Sequence, residues 1–389
     1  MFNFDKPIDR RGTTSIKWNA LDGFAKHDDM LPFWIADTDF ATVPEVVDAL
    51  KKRLEHPVFG YADALPATYS AVQGWWSRRY HWTPETDWMF FTCGVVTGIY
   101  FSLQALTKLG EKVLTLTPVY DPFFAAVENS GRTLVTCPMD HKDNYYTINW
   151  GLLEKEFQNG VKAIVFCNPH NPVGRVWTQE ELERVARLCV QYDVWLLSDE
   201  IHADYGLTRS YTPMGKFAFC HDKLVVYTAI SKSFNLAGMV SACIMIPNAQ
   251  VREKVRYEFD SRWMFNPCDL AFTAMQAAYT YGDAWMDAVC TYLRGNVKLV
   301  NDYMAEHMPR IGVTRHEGTF LMWLDMTCTG MSSDALTEVL SGQYGIALGN
   351  GQHYGAQADG FMRFNIGCSR TVMEQGLERM NAFYKATVK

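Results

Sequence analysis

No run of apolar residues in this chain approaches the roughly 20 that a bilayer span needs, so no membrane-spanning helix is expected. The opening stretch, MFNFDKPIDRRG, lacks the apolar core of a signal peptide. The ten cysteines stand singly, with no CxxC pair, and no HExxH occurs, so no zinc site is indicated. Most lie in apolar runs such as Val165-Phe166-Cys167 and read as reduced core residues. There is no basic stripe, and 36 Lys and Arg against 43 Asp and Glu leave a net charge of −7. Nucleic acid and anionic membrane surfaces are therefore not expected partners. Repeats and low-complexity linkers are also missing. A cytoplasmic protein is expected.

What is present suits a globular enzyme: 48% hydrophobic and 20% charged residues. A chain of 389 residues is too long for one small core and suggests a large domain with a smaller companion. The 14% of aromatic residues is read mainly as core packing. Residues 1–45 read as an irregular arm. Pro44 opens a helix that runs to about His56, and Ala67 to Tyr80 reads as a second. Phe90-Phe91-Thr92-Cys93-Gly94 is a strand entering a glycine turn, with a helix after it to about Leu109. Strands at Lys112–Leu116, Leu134–Cys137, Ala163–Cys167, Val194–Ser198, Leu224–Thr228 and Cys243–Ile246 alternate with helices such as Thr178–Tyr192 and Gln250–Phe259. That alternation predicts α/β architecture with a mainly parallel sheet over residues 46–284. A long helix from Trp285 to about His307, strands around Phe320 and Phe361–Ile366, and a terminal helix predict a smaller α+β domain over residues 285–389.

Ligands of a parallel sheet bind beyond the carboxyl ends of its strands. Four strand ends carry polar groups here: Cys93-Gly94-Val95-Val96, Asn168-Pro169-His170-Asn171, Ser198-Asp199-Glu200-Ile201-His202 and Ser231-Lys232. Taken singly, each could be a loop or a cap, and Lys232 could merely start a surface loop. Asp199, one serine beyond the apolar run Val194-Trp195-Leu196-Leu197, fits that reading poorly, because carboxylates are rarely buried unpaired. Together the groups suit pyridoxal 5'-phosphate. Lys232 offers an amine for its aldehyde, and Asp199 a carboxylate for its ring nitrogen. The Gly94, Val95 and Val96 amides at a helix N-terminus offer an anion site. Tyr120 offers a stacking ring and Asn171 a donor to the phenolic oxygen. His202 either orients Asp199 or touches that oxygen, or is a core histidine with a backbone partner.

The motifs PFWIADTDF, HPVFGY, NPHNPVG, SDEIHADY, SKSFNLAG, GTFLMWLD and FMRFNIGCSR resemble those of fold-type-I pyridoxal-phosphate enzymes. These belong to the aminotransferase class I/II superfamily, and the match is closest to MalY/PatB-type cystathionine β-lyases, or C–S lyases. The resemblance spans essentially the whole chain. It implies an aspartate-aminotransferase-like fold with a seven-stranded large-domain sheet, and a homodimer with shared active sites. It implies that Tyr61 reaches the cofactor phosphate of the neighbouring subunit and takes part in catalysis with Lys232 and Asp199. It further implies that Ser231 contacts phosphate, and that Arg363 binds the substrate α-carboxylate near Ile35 and Ala36 of the PFWIADTDF stretch. Arg363 has its own case, since a planar guanidinium grips a carboxylate with two parallel bonds.

Three positions depart from the family. Val240 stands where class I aminotransferases carry a phosphate-binding arginine, Ala229 where serine is frequent, and Thr38 where these lyases often have methionine. The implied activity is β-elimination from cystathionine or related cysteine S-conjugates to a thiol, pyruvate and ammonia. An aminotransferase shares the early chemistry, and a regulatory binding protein on the same fold is a third reading.

Overall fold

The computed structural model describes residues 2–21, 23–264 and 266–388. Its main sheet has seven strands: β1 (Met89–Thr92), β2 (Lys112–Thr117), β3 (Thr133–Pro138), β4 (Val161–Cys167), β5 (Trp195–Asp199), β6 (Leu224–Thr228) and β7 (Ala242–Met245). The spatial order is β1-β7-β6-β5-β4-β2-β3. Strand β7 pairs antiparallel with both neighbours, and every other pairing is parallel. The central strands β5, β6 and β7 are buried almost throughout, as helices covering both faces require. The α/β expectation holds, with the carboxyl ends of β4, β5 and β6 side by side.

A second sheet, antiparallel throughout, contains β8 (Gly312–Val313), β9 (Leu321–Asp325), β10 (Gly349–Asn350) and β11 (Phe361–Asn365), in the order β8-β9-β11-β10. The arm joins this part of the chain. Leu31–Pro32 pairs in parallel with Ile346–Ala347, and the Phe33 ring packs 4.8 Å from that of Phe364. The long helix Asp283–His307 carries buried Asn296, whose Nδ2 donates to the carbonyls of Ile366 (2.9 Å) and Cys368 (3.0 Å).

Element ends differ from expectation for local reasons. The helix expected to reach Leu109 stops at Leu106, because Thr107 turns to extended backbone and its hydroxyl bonds back to the Leu103 carbonyl. The last sheet strand ends at Met245; the Ile246 amide instead bonds Trp88 O at 2.9 Å. An unforeseen hairpin pairs Asp140–Lys142 with Tyr145–Thr147. Asp143 and Asn144 close it at φ 52° and 55°, the left-handed pair that a tight hairpin turn demands. The helix Gln179–Gln191 starts where foreseen, on a capping box of Thr178 and Glu181. All ten cysteines are free thiols. No helix among the described residues is long and apolar enough to cross a membrane.

Candidate active site

Two cavities meet beyond the carboxyl ends of β4–β6, sharing Ala36, Tyr120 and Lys232 in their walls. The smaller, about 230 Å³, is bounded by Gly94, Val95, Val96, Asn171, Asp199, His202 and Ser231. The larger, about 810 Å³, opens between the main sheet and β10–β11 and is bounded by Ile35 and Arg363.

Lys232 lies in the one-turn helix Ile230–Ser233 that follows β6. Tyr205 Oη donates to the carbonyls of Lys232 and Ser233, each at 3.1 Å, and so fixes that turn. The Lys232 amine donates to Ala36 O at 2.6 Å. Burial, helped by the charge of Arg363, brings its pKa down to about 8, against the pull of Asp37 and Asp199. Asp199 ends β5 and is buried; its Oδ1 accepts from the Ile201 amide at 3.0 Å. Burial raises its carboxyl to about 7, opposed by that amide and by Lys232. His202 is buried beside it. Burial first, then the charges of Lys232 and Arg363, hold its imidazole neutral.

Arg363 projects from the middle of β11, in register with Trp323 of β9 and Gly349 of β10. Its Nη1 donates to Asn171 Oδ1 at 3.2 Å and its Nη2 to Trp34 O at 2.7 Å, with the guanidinium 5.0 Å over the Tyr354 ring. Tyr120 is half-buried, and burial pushes its hydroxyl to about 12, so it is a neutral ring at physiological pH. Gly94 caps the helix Val95–Leu106. A Cβ placed on Gly94 would meet nothing nearer than Thr97 Oγ1 at 3.9 Å, so the first-turn amides face open space.

The structure thus gathers Lys232, Asp199, Asn171, His202, Tyr120, Ser231, Gly94, Val95, Val96, Arg363, Ile35 and Ala36 around one connected space. It does not bring Tyr61 there: Tyr61 is 98% exposed and lines a separate surface hollow with Phe59 and Trp263. Sequence reasoning gave no role to Thr97, which stands in the rim stretch after Gly94, or to Ser241; both also line the smaller cavity where Ala229 offers no hydroxyl. A hydroxyl one turn into the helix after Gly94 was a legible signal; Ser241, just before β7, was not. Val240 lines the same cavity at φ 46°, a strained backbone for a β-branched residue, with no arginine in that place.

The residues fit pyridoxal phosphate. Ser241 Oγ, His202 Nδ1 and Arg363 Nε are buried without a hydrogen-bond partner among the described residues, so the site holds polar capacity that its own chain does not use. The helix N-terminus with Ser231, Thr97 and Ser241 is an anion cradle, and Asp199 is a buried carboxylate short of a cation.

Comparison with known proteins agrees. The family model for aminotransferase class I and II matches residues 28–380. Cystathionine β-lyase PatB of Bacillus subtilis is 35% identical over 98% of this chain and 99% of its own. Protein MalY of Escherichia coli is 32% identical over 97% of each. Cystalysin from Treponema denticola, solved with pyridoxal 5'-phosphate, superposes with a TM-score of 0.95 at 32% identity, covering 99% of both chains. Agreement of this extent, in sequence and in fold, places the chain in the aminotransferase class I and II family of pyridoxal-phosphate-dependent enzymes.

Proposed function

We propose that this protein is a pyridoxal-phosphate-dependent C–S β-lyase acting on L-cystathionine or related cysteine S-conjugates. The observation that carries the reading is the facing of Lys232 and Arg363 across one cavity, an amine base beside a carboxylate clamp. Elimination is preferred to amino transfer because PatB, aligned end to end, is a cystathionine β-lyase.

Bound pyridoxal phosphate supplies an aldehyde that condenses with amines and a conjugated ring that takes up electrons from a neighbouring carbon. Ser231, Thr97, Ser241 and the amides of Gly94, Val95 and Val96 would hold its phosphate, Tyr120 would cover the ring and Asn171 would donate to the phenolic oxygen. Asp199 would hold the proton on the ring nitrogen; that cation relieves the carboxylate of its burial. Arg363 clamps the α-carboxylate of the amino acid, and Asn171, already bonded to Arg363, ties the clamp to the ring site. Lys232 removes the α-proton as general base, a role helped by an amine near 8. The β C–S bond then breaks, the thiolate leaves through the larger cavity, and water hydrolyses the remaining three-carbon enamine to pyruvate and ammonia.

The supporting division of the chain is an arm over 1–45, a cofactor-binding domain over 46–284 and a small domain over 285–389. Residues 1, 22, 265 and 389 fall outside the described residues. We place the enzyme in the cytoplasm as a homodimer in which Tyr61 serves the neighbouring site. The test supplies L-cystathionine and follows thiol, pyruvate and ammonia together. Equal amounts without added keto acid support the lyase; keto-acid-dependent consumption with no thiol means an aminotransferase.

A further inference from the structure

Three residues beyond Lys232 stands Asn235, in left-handed backbone at φ 56°, a conformation that asparagine tolerates and most side chains do not. Its side-chain polar atoms are spent on one stretch of the arm, 195 to 197 positions earlier in the chain. Oδ1 accepts from the Thr38 amide at 3.1 Å, and Nδ2 donates to the carbonyls of Thr38 at 2.8 Å and Phe40 at 2.9 Å. The loop that carries Asn235 is itself fixed. Phe234 is fully buried, its ring 5.1 Å from that of Trp75 and 5.6 Å from that of Tyr279, and the Leu236 amide donates to the Ser231 carbonyl at 3.2 Å. A rigid loop that grips an irregular segment sets where that segment lies.

What it sets is the place of Ala36, two residues before Thr38, whose carbonyl accepts from the Lys232 amine. The bonds close a circuit from Lys232 through Asn235, Thr38 and Ala36 back to the lysine amine. Asn365 holds the same stretch at the Ile35 and Asp37 carbonyls, but it fixes the stretch against β11 and not against the lysine turn. Only the Asn235 bonds tie the acceptor to the loop from which its donor springs.

We propose that Asn235 is a positioning residue for proton transfer, holding the Ala36 carbonyl where that oxygen directs the Lys232 amine whenever the amine is free. A lysine amine on its four-carbon stem has wide rotational freedom. A fixed acceptor takes one N–H and removes most of it. The same oxygen accepts more strongly from the ammonium that forms once the amine has taken a proton, and so keeps that proton in place for its return. The proposal rests on the reading of Lys232 as general base, which a lyase and an aminotransferase share, and not on elimination itself.

Three variants test it. Asn235→Gly deletes the side-chain bonds and leaves the left-handed backbone unstrained. Thr38 O then keeps Arg10 Nη1 at 3.2 Å, while the Thr38 amide and the Phe40 carbonyl lose this partner. Asn235→Asp retains the acceptor for the Thr38 amide and loses both donors. Thr42→Val is the comparison: the Thr42 hydroxyl donates to Phe234 O at 2.6 Å, another tie between arm and lysine loop, but outside the stretch that carries Ala36. With each holoenzyme, exchange of the Cα hydrogen of L-alanine in deuterium oxide is followed by NMR. L-Alanine has no β-leaving group, so exchange reports proton transfer whether or not the enzyme is a lyase. In Asn235→Gly the saturated exchange rate should fall about tenfold or more, the scale of a small misplacement of a reacting group, with Thr42→Val within about twofold of wild type. The half-saturating alanine concentration should change little, and Asn235→Asp should lie between Asn235→Gly and wild type. If Asn235→Gly does not take up the cofactor, Asn235→Asp carries the same comparison.

The second readout uses cofactor-free protein. The midpoint of Lys232 labelling against pH should fall in Asn235→Gly, because the Ala36 carbonyl and the Asp37 carboxylate on the displaced stretch both favour the ammonium. Unchanged exchange in the Asn235 variants overturns the proposal, and so does an equal loss in Thr42→Val, which would make Asn235 one tie among several. A midpoint that stays or rises also overturns it, a rise meaning that the arm has left the lysine to water. A wild type that exchanges nothing refutes the general-base reading, and the labelling midpoint then decides the positioning alone. Failure to cleave cystathionine would count against the lyase and leave both measurements standing.

Discussion

An amine near 8 in a wall of apolar atoms is the most reactive kind of lysine the chain can present. In cofactor-free protein, labelling of Lys232 by an amine-directed reagent should rise with pH and level off above about 8. Exposed lysines should go on rising toward their ordinary pKa of about 10.4. Peptide mapping reads both. Borohydride treatment of the yellow holoenzyme should fix the cofactor mass on Lys232, and a label on another lysine would refute its role. Asp199 gives a prediction of opposite sign. Its carboxyl moves from 3.8 to about 7 on folding, so between those values the folded state binds more protons and stability falls as pH rises. The shift is worth roughly 4 kcal/mol at pH 8. Cofactor-free Asp199→Asn should therefore melt above the cofactor-free wild type at pH 8, and the gap should close toward pH 4. Glu200, whose carboxyl burial also raises to about 7, is pushed further up by the Asp199 charge, so removing that charge works in the same direction. In the holoenzyme the same substitution should lower turnover on the order of a hundredfold or more, because it removes the ring-nitrogen partner.

At the scale of elements, the irregular stretch from Phe33 to Phe40 does the work of a strand without a ladder. Asn365 Nδ2 donates to the carbonyls of Ile35 and Asp37, each at 2.6 Å, and its Oδ1 accepts from Gly367 N at 2.7 Å. Arg363 holds Trp34 O and Lys232 holds Ala36 O. Removing the Asn365 side chain strips the Ile35 carbonyl and the Gly367 amide of this partner, while Asp37 O keeps Lys17 Nζ at 3.2 Å, so Asn365→Ala should lose about 2–4 kcal/mol by denaturant titration. It should also raise KM more than it lowers kcat. The parts of the site on β4, β5 and β6 were legible because an apolar run that ends in Asn, Asp or Lys says which residues stand at a sheet's rim. Asn365 carried no such signal: its partners lie more than 300 positions away, and an asparagine on a strand looks the same whether it bonds water or an arm. The Asp140–Thr147 hairpin was legible in principle, through Asp143-Asn144 between alternating residues, but its strands are only three residues long. PFWIADTDF could be read as packed from its apolarity, whereas its contact with Lys232 was reachable only through resemblance.

For the molecule as a whole, the exposed ring of Tyr61 sets the decisive experiment. If Tyr61 completes a neighbour's site, inactive Tyr61→Phe and inactive Lys232→Ala proteins should regain activity when mixed. In an equal mixture half the dimers are mixed and each has one whole site, so recovery should approach about a quarter of wild type. Exchange of subunits without recovery would argue against sharing. The pairing of Leu31–Pro32 with Ile346–Ala347, and of Asn365 with the carbonyls of Ile35 and Asp37, has a consequence for synthesis. A ribosome making about 5–20 residues per second exposes the arm tens of seconds before its partners emerge. The main sheet can form in that interval, but the wall that holds Ala36 against Lys232 cannot. A nascent chain therefore has its cofactor cradle early and its amino-acid pocket only near the end of translation, and an interrupted chain could hold pyridoxal phosphate with nothing to select what reaches it.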